Sequence, residues 1–314
     1  MAVTREEICW CYRNLLGREP ESEAVIEAHA DGKNFKELVD SFARSPEFQQ
    51  RKRVKNLPEL AGSLVELPIL QGFGQTPQTP AMAMRTVSIR DLPGYCFVDK
   101  RSQSLNGRLS YPAGQEKKLG LLKIGFHGNL EPAALEGVDI ELRSVCELHL
   151  HIAAPNTKIR VGHGVEGKWV LRLFRDPFVE IGDHATSNGT DVLVDDGELR
   201  VGEDCMFANV FIHAGDNHAL FDVQTGERLN VRRARVHFEP HVWVASRATI
   251  LGDSTIGAGS VIAANATVKG DLPRCVLAAG TPARPIKCGI SWTRSATGEE
   301  WREVAARLAD TGLA

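Results

Sequence analysis

Residues 238–273 repeat with a period of six. Read in sixes, the segment is FEPHVW, VASRAT, ILGDST, IGAGSV, IAANAT and VKGDLP. The first position is always apolar, and the fifth position is small in four of the six cases. Helices and half-buried strands repeat with periods of 3.6 and 2, so neither explains a strict period of six. The repeat predicts a triangular solenoid in which each six forms one side of a coil. Each first-position side chain then stacks inside on its copy three sixes later.

Looser sixes extend the repeat towards the N-terminus. They are IGDHAT at 181–186, VGEDCM at 201–206 and FANVFI at 207–212. The period is then interrupted by residues 213–237, HAGDNHALFDVQTGERLNVRRARVH. This interruption predicts a loop that leaves the solenoid, and loops held by a rigid scaffold are where functional residues concentrate.

The composition fits a narrow prism and excludes several classes of protein. Aromatic residues make up only 6% of the chain and 29 residues are glycine, which is expected if aromatic rings do not fit the interior. The net charge of -3 argues against a nucleic-acid binder that relies on phosphate neutralisation. No apolar run approaches the roughly 18–20 residues of a membrane-spanning helix. The N-terminus, with Glu6 and Glu7, does not have the form of a secretory signal. Seven scattered cysteines, never spaced as CxxC, indicate reduced thiols and a cytoplasmic location.

Three blocks of the sequence resemble a known family. They are VGEDCMFANVFIHAGDNHALFD…GERLN, HVWVASRATILGDSTIGAGSVIAANATVKGDLP and VLAAGTPARPIK. In this order they resemble the hexapeptide-repeat O-acetyltransferases of the polysaccharide, maltose and xenobiotic acetyltransferase group. The resemblance implies a left-handed parallel β-helix, a homotrimer, and acetyl-CoA as donor in the groove between neighbouring prisms.

The resemblance also implies a catalytic histidine in the loop. His218 falls at the general base, and Asp216 matches the acidic residue that precedes it. Asn217 is a candidate for binding the acceptor sugar, as is His241, which opens the HVW sequence.

The acetyl-CoA groove is assigned to a second set of residues through the same resemblance. Trp243 matches a tryptophan near the thioester, and the backbone at Ala245 and Ala263 matches the wall of the pantetheine channel. Arg284 and Lys287 match basic positions that face the nucleotide phosphates. Lys269, where the family commonly has threonine, is the remaining candidate for the cofactor groove.

The chemistry needs a base for the acceptor hydroxyl and donors for the developing oxyanion. Histidine suits the first task because its side chain changes charge near neutral pH. The thioester is already activated, so we expect direct attack, with no acyl-enzyme on cysteine and no metal. Cys205 and Cys275 are predicted to be packing residues.

Two alternatives remain open at this stage. One is a zinc hydratase of the gamma carbonic anhydrase kind, with His213 and His218 as ligands and His184 or His237 as the third. The other is a non-catalytic protein whose solenoid only forms a trimer.

The chain divides into five predicted regions. Residues 1–50 form a helical module, and residues 51–85 form a linker or extended arm. Residues 86–175 are rich in β-structure and form either early coils or a glycan platform. Residues 176–288 form the β-helix with its loop 213–237, and residues 289–314 form a C-terminal helix. The module resembles one found beside bacterial surface-polysaccharide enzymes. The expected partner is therefore a glycan or sugar acceptor, either the polymer or its precursor, with peripheral association with the polysaccharide machinery.

Overall fold

The computed structural model describes residues 3–12, 20–30, 37–38, 41–42, 44–46, 83–126 and 135–308. Contacts divide the chain into two compact units. One unit combines Met1–Thr79 with Thr293–Ala314, and the other is Pro80–Trp292. Among the described residues, no helix is both long enough and apolar enough to cross a membrane.

The first unit contains short helices with apolar faces. They are α1 (Arg5–Cys11), α2 (Glu23–Ala30) and α3 (Trp301–Leu308). The N-terminal stripe is buried at Ile8, Cys11 and Tyr12. The ring of Tyr12 meets the ring of Phe42 edge-on, with 4.9 Å between centroids. The C-terminal helix predicted from the spacing of Trp301, Val304, Ala305 and Leu308 is confirmed, and Val304 and Leu308 are buried. The predicted arm lies outside the described residues up to residue 82.

The second unit is built from strands in two sheets. In chain order the strands are β1 (Met84–Ser88), β2 (Gly107–Pro112), β3 (Leu122–Phe126), β4 (Val138–Leu142), β5 (Glu147–Ile152), β6 (Lys158–Val161), β7 (Glu166–Leu173), β8 (Phe178–Ile181), β9 (Thr186–Asp195), β10 (Gly197–Val201), β11 (Met206–Phe207), β12 (Phe211–Gly215), β13 (Ala234–Phe238), β14 (Trp243–Val244), β15 (Thr249–Leu251), β16 (Ser254–Ile256), β17 (Val261–Ile262), β18 (Thr267–Val268), β19 (Val276–Gly280) and β20 (Ala283–Cys288). One sheet has the order β1-β2-β4-β6-β8-β10-β13-β16. The other joins β3, β5 and β7 to β9. Beyond β9 it divides into a β11-β14-β17-β19-β20 branch and a β12-β15-β18 branch. Pairing is parallel except for β1 with β2 and β19 with β20.

The structure confirms the left-handed parallel β-helix that the period of six predicts. Phe238 pairs with Ile256, Val244 with Ile262 and Ile250 with Val268, each 18 residues apart. These six first-position side chains are at most 1% exposed. The fifth positions are also buried, including Ser254 and Ser260. One aliphatic and one small residue per side therefore fill the prism, which is the packing that the repeat implies.

The corners of the repeat depend on its fourth position. His241, Arg247, Asp253 and Asn265 have φ between 58° and 60°, and Gly259 has φ of 71°. This left-handed conformation costs little for glycine, asparagine and aspartate but is uncommon for other residues. The fourth position therefore turns the chain from one side of the coil to the next.

The earlier coils are larger than the repeat. Lys158 pairs with Phe178, and Phe178 with Glu198, so that each coil has 20 residues. The strands within 107–173 lie in the same two sheets as the later coils, so they continue the solenoid towards the N-terminus.

The larger coils also hold aromatic rings. Trp169, Phe207 and Phe238 are at most 1% exposed and meet edge-on at centroid distances of 5.4 and 5.0 Å. The expectation that rings do not fit the interior is therefore wrong for this part of the prism. The two added residues per coil widen the interior enough to hold them.

Candidate active site

The interruption of the repeat forms a loop of residues 216–233 between β12 and β13. The loop leaves the solenoid at Gly215, where φ is 137°. A Cβ atom at this position would lie 2.1 Å from the carbonyl oxygen of Asp195, so only glycine fits. The loop therefore starts where two coils are in close contact.

Two arginines fix the ends of the loop. The guanidinium of Arg175 donates to both carboxylate oxygens of Asp195, at 2.7 and 2.8 Å, and to the carbonyl oxygen of Asp216 at 3.0 Å. At the other end, Arg233 forms an ion pair with Asp176 and donates to the carbonyl oxygen of Gly197 at 3.1 Å. The backbone around Asp216 is thereby tied to the solenoid.

Within the loop, Asn230 joins its two halves. Its Nδ2 donates to the carbonyl oxygen of His218 at 2.7 Å and to Oδ2 of Asp216 at 3.2 Å. Its Oδ1 accepts from the N–H of Leu220 at 2.9 Å. These bonds position the backbone of the catalytic candidate without using its imidazole.

The tip of the loop is a small hairpin. Phe221 and Arg228 form an antiparallel bridge, and Asp222 accepts hydrogen bonds from the N–H groups of Thr225 and Gln224. These N–H donors hold the pKa of Asp222 below its usual range. The loop thus has an ordered, hydrogen-bonded structure of its own.

His218, Asn217 and Asp216 are adjacent and exposed. No hydrogen bond or ion pair joins the carboxylate of Asp216 to the imidazole of His218 among the described residues. The contact of Asp216 with Asn230 instead gives it a place in holding the loop. The imidazole therefore faces solvent from a loop whose backbone is fixed.

Trp243, Ala245 and Ala263 lie on or next to the β11-β14-β17-β19 face. Trp243 pairs with Val261, and it is half-buried. The N–H of Ala245 donates to Ile262 and the N–H of Ala263 donates to Ala278, both at 2.9 Å. These two N–H groups already have backbone partners, so the wall offers side chains and carbonyl groups to a ligand.

The three basic candidates are in two places. Arg284 and Lys287 are exposed on β20, the last strand of the same face, and pair with Ala279 and Leu277 of β19. Lys269 follows β18 on the other branch. Its ammonium donates to the carbonyl oxygen of Gly252 at 2.5 Å, at the corner where the loop begins. Lys269 is thus positioned with the root of the loop, and Arg284 and Lys287 with the Trp243 face.

His241 is buried and has hydrogen-bond partners at both ring nitrogens. Nδ1 lies 2.8 Å from a carboxylate oxygen of Asp204, and Nε2 lies 2.9 Å from the carbonyl oxygen of Trp292. The indole of Trp292 stacks on the imidazole at 4.3 Å, and its N–H donates to the carbonyl oxygen of His241 at 2.9 Å. This arrangement corrects the expectation that His241 lines the groove, because no ring nitrogen is left for a substrate.

Buried thiols in the solenoid are poor nucleophiles. Burial raises the pKa of Cys146 and Cys275 to about 11 and that of Cys288 to about 12. The thiolate is the reactive form, so these three residues are largely unreactive at neutral pH.

Histidines of the zinc alternative do not form a ligand set. No group of three His, Cys, Asp or Glu side chains among the described residues could hold a metal ion. Nε2 of His213 is buried and lacks a hydrogen-bond partner. Sequence reasoning assigned His213 only to zinc and did not find Arg175 or Asn230. No pattern in the sequence links these residues to His218.

Comparison with known proteins places the repeat in a family. Residues 235–270 match the model of the bacterial transferase hexapeptide, six repeats. The chain is 31% identical over 108 residues to a polysialic acid O-acetyltransferase of Escherichia coli O1:K1, covering 34% of this chain and 35% of that protein. It is 34% identical over 106 residues to a galactoside O-acetyltransferase of Lactococcus lactis, covering 33% and 50%. The chain thus spans about a third to a half of the length of these curated relatives.

A solved structure covers more of the chain. The crystal structure of the polysialic-acid-specific acetyltransferase NeuO matches with a TM-score of 0.52 and 26% identity. The match covers 60% of this chain and 87% of that chain, which extends well beyond the six exact repeats.

Proposed function

We propose that this chain, a hexapeptide-repeat acyltransferase by its fold and matches, transfers an acetyl group from acetyl-CoA to a sugar hydroxyl of a bacterial surface polysaccharide or its precursor. The observation that carries the proposal is the exposed His218 on a loop anchored to the edge of this solenoid. The relatives named for polysialic acid and galactosides support a sugar as acceptor.

His218 acts as the general base. The acceptor hydroxyl attacks the carbonyl carbon of the thioester while the imidazole takes its proton. The tetrahedral intermediate then collapses, the C–S bond breaks, and the proton passes from the imidazolium to the leaving thiolate of CoA. The raised pKa values of Cys146, Cys275 and Cys288 agree with direct transfer, because an acyl-enzyme would need a reactive thiolate.

The rest of the site binds the two substrates. Asn217 and the Oδ1 atom of Asp216 are placed beside His218, where they bind hydroxyl groups of the acceptor. The face of Trp243, Ala245 and Ala263 receives the pantetheine arm. Arg284 and Lys287 meet the phosphates of CoA as two placed cations, in agreement with a net charge of only -3.

A homotrimer completes the groove. The loop hairpin exposes five large apolar side chains, namely Leu220, Phe221, Val223, Leu229 and Val231, with exposed fractions of 55 to 98%. Exposed apolar side chains grouped on one ordered element are typical of an interface, and a closed symmetric assembly is the usual outcome for identical chains.

The first test is a coupled assay. Purified protein is incubated with acetyl-CoA, with and without the surface polysaccharide of the source organism, and release of free CoA is recorded together with the product. The proposal predicts thiol release that depends on the polysaccharide. Thiol release without acetylated glycan would remove the sugar acceptor from the proposal.

The alternative functions give opposite results in two simple measurements. A zinc hydratase requires stoichiometric zinc in the purified protein and catalyses hydration of carbon dioxide. A purely structural trimer binds no acetyl-CoA, and substitution of His218 then changes nothing measurable.

A further inference from the structure

A cleft of about 710 Å³ lies along the edge of the early coils. Residues 143–147, 163–168 and 187–188 of three successive coils line it, together with Gln115, Lys118 and Leu121. Its volume is within the range of about 300–1,000 Å³ that is common for small-molecule sites. None of the residues proposed above for acetyl-CoA or the acceptor hydroxyl lines this cleft, so it is a separate site.

Two polar atoms in this cleft lack hydrogen-bond partners. Oε1 of Gln115 and Nδ1 of His163 are both buried and unpaired. Other polar side chains of the cleft serve the scaffold. The hydroxyl of Ser144 donates to the carbonyl oxygen of Gly162 at 2.8 Å, and that of Ser187 donates to the carbonyl oxygen of Lys168 at 2.7 Å. Because buried polar atoms are almost always hydrogen-bonded in folded proteins, two unpaired atoms in one cleft indicate a polar ligand.

The neighbours of His163 fix its position. Its backbone N–H donates to Oδ1 of Asp183 at 2.7 Å. Its ring meets the ring of His184 edge-on, with 5.7 Å between centroids. The imidazole is therefore positioned before any ligand arrives.

The charges around the cleft leave one cation without a carboxylate partner. Lys168 forms an ion pair with Glu147 at 3.1 Å, and Arg143 forms one with Glu141 at 3.3 Å. Lys118 is exposed and forms no ion pair with any described residue. The ligand that matches this arrangement carries both hydroxyl groups and a negative charge.

We propose that the cleft binds an acidic sugar unit of the acceptor polysaccharide, other than the unit that is acetylated. Hydroxyl groups of the sugar donate to Oε1 of Gln115 and pair with Nδ1 of His163, and its carboxylate meets Lys118. The proposal rests on the function proposed above in taking a polysaccharide as acceptor. It adds that the acceptor is a polymer held at two places, so that binding at the cleft raises the local concentration of the chain at His218.

The test uses polysialic acid fragments of increasing length, because they are polymers of an acidic sugar. The variant combines Gln115→Leu with His163→Phe, which keep the side-chain size and remove both unpaired atoms. In the wild-type protein the KM for the fragment falls at least tenfold from the shortest to the longest. The variant retains the KM and kcat for the shortest fragment and loses the gain with length. His237→Phe, an exposed histidine outside the cleft, is the matched control and behaves as wild type.

Direct titration of the fragments without acetyl-CoA separates this proposal from the proposed function. If long fragments bind the wild type and not the double variant, the cleft stands even when no acetyl transfer is found. A KM that does not depend on length, together with equal binding by both proteins, overturns the cleft. Equal binding of dextran overturns the acidic class. The melting temperature of the variant should not fall, because the removed atoms have no partners to lose.

Discussion

At the scale of single residues, the site combines an unconstrained imidazole with a constrained backbone. The ring of His218 faces solvent, while its carbonyl oxygen is held by Asn230. Resemblance to a family identified this histidine from the sequence. The role of Asn230 could not be predicted, because a hydrogen bond to a backbone oxygen leaves no pattern among loop residues.

Replacement of His218 should separate activity from stability. We expect His218→Ala to lower kcat for acetyl transfer about 10²- to 10⁴-fold, the usual contribution of a general base. The melting temperature and the affinity for acetyl-CoA should stay unchanged, because the side chain is exposed and lies outside the proposed groove. His237→Ala, at an exposed position of β13, is the control. Equal activity of the two variants would argue against a general base at His218.

Asp139 should make the early coils sensitive to acid. Hydrogen bonds and charge from Arg108, and then from Arg160, lower its pKa to about 2. Because the pKa is lower in the folded state, the carboxylate contributes stability above its unfolded pKa of about 4. That contribution is lost as the pH falls from about 4 to about 2. We expect Asp139→Asn to lower the free energy of unfolding by roughly 1–2 kcal/mol at pH 7 and to have little effect near pH 2. Denaturant titrations at both pH values measure this difference, and an equal loss at both would contradict it.

At the scale of elements, loop 216–233 is the part of the molecule that departs most from the repeat. Its anchors come from distant positions, since Arg175 lies 41 residues before Asp216. Stacking of successive coils brings the two together, and a sequence that is read in sixes does not contain this information. The exact sixes, the inward first and fifth positions and the interruption at the loop were all readable from the sequence.

Loss of the clamp at Asn230 should impair catalysis more than folding. Asn230→Ala removes the hydrogen bonds to His218, Asp216 and Leu220, so the loop samples more conformations. We expect kcat to fall at least tenfold with a change in melting temperature of a few degrees at most. Gln224→Ala, at an exposed position of the same loop, should retain full activity. A fully active Asn230→Ala would show that the loop does not need this clamp.

The segment after β20 closes one corner of the solenoid. Ser291 donates to the carbonyl oxygen of Gly259, and Trp292 covers His241. This contact explains why the sequence misassigned His241. Its position in the repeat indicated an outward corner, but a residue 51 positions later buries it.

Truncation of Trp292 should destabilise the solenoid. Trp292→Ala removes a stacked ring that is 6% exposed and opens a cavity over His241 and Asp204. We expect a loss of about 3–5 kcal/mol in the free energy of unfolding. The same change at Trp301, which is 45% exposed, should cost much less. Chemical denaturation of the two variants compares them directly, and equal losses would contradict the role of the corner contact.

At the scale of the whole molecule, the solenoid combines 20-residue coils with 18-residue coils. The wide coils hold Trp169, Phe207 and Phe238, and the narrow ones hold single aliphatic side chains. The sequence predicted the narrow part because its period is exact. It left residues 86–175 open because two extra residues per coil disturb the period of six.

The proposed assembly can be measured in solution. A chain of 34.4 kDa should sediment as a trimer, near three times that mass. If the loop hairpin lies in the interface, the double variant Phe221→Glu, Val223→Glu should shift the mass towards the monomer, because charges replace apolar contact area. A monomeric wild-type protein would contradict the trimer.

The central claim is that acetyl groups move from acetyl-CoA to hydroxyl groups of a polysaccharide. The most direct test is to supply acetyl-CoA with a deuterated acetyl group, together with the surface polysaccharide, and to follow the label by mass spectrometry and NMR. We predict label in the polysaccharide that mild alkali releases, as expected for an ester, and its absence with His218→Ala. Label that resists alkali, or label that remains entirely on CoA or in free acetate, would contradict the account.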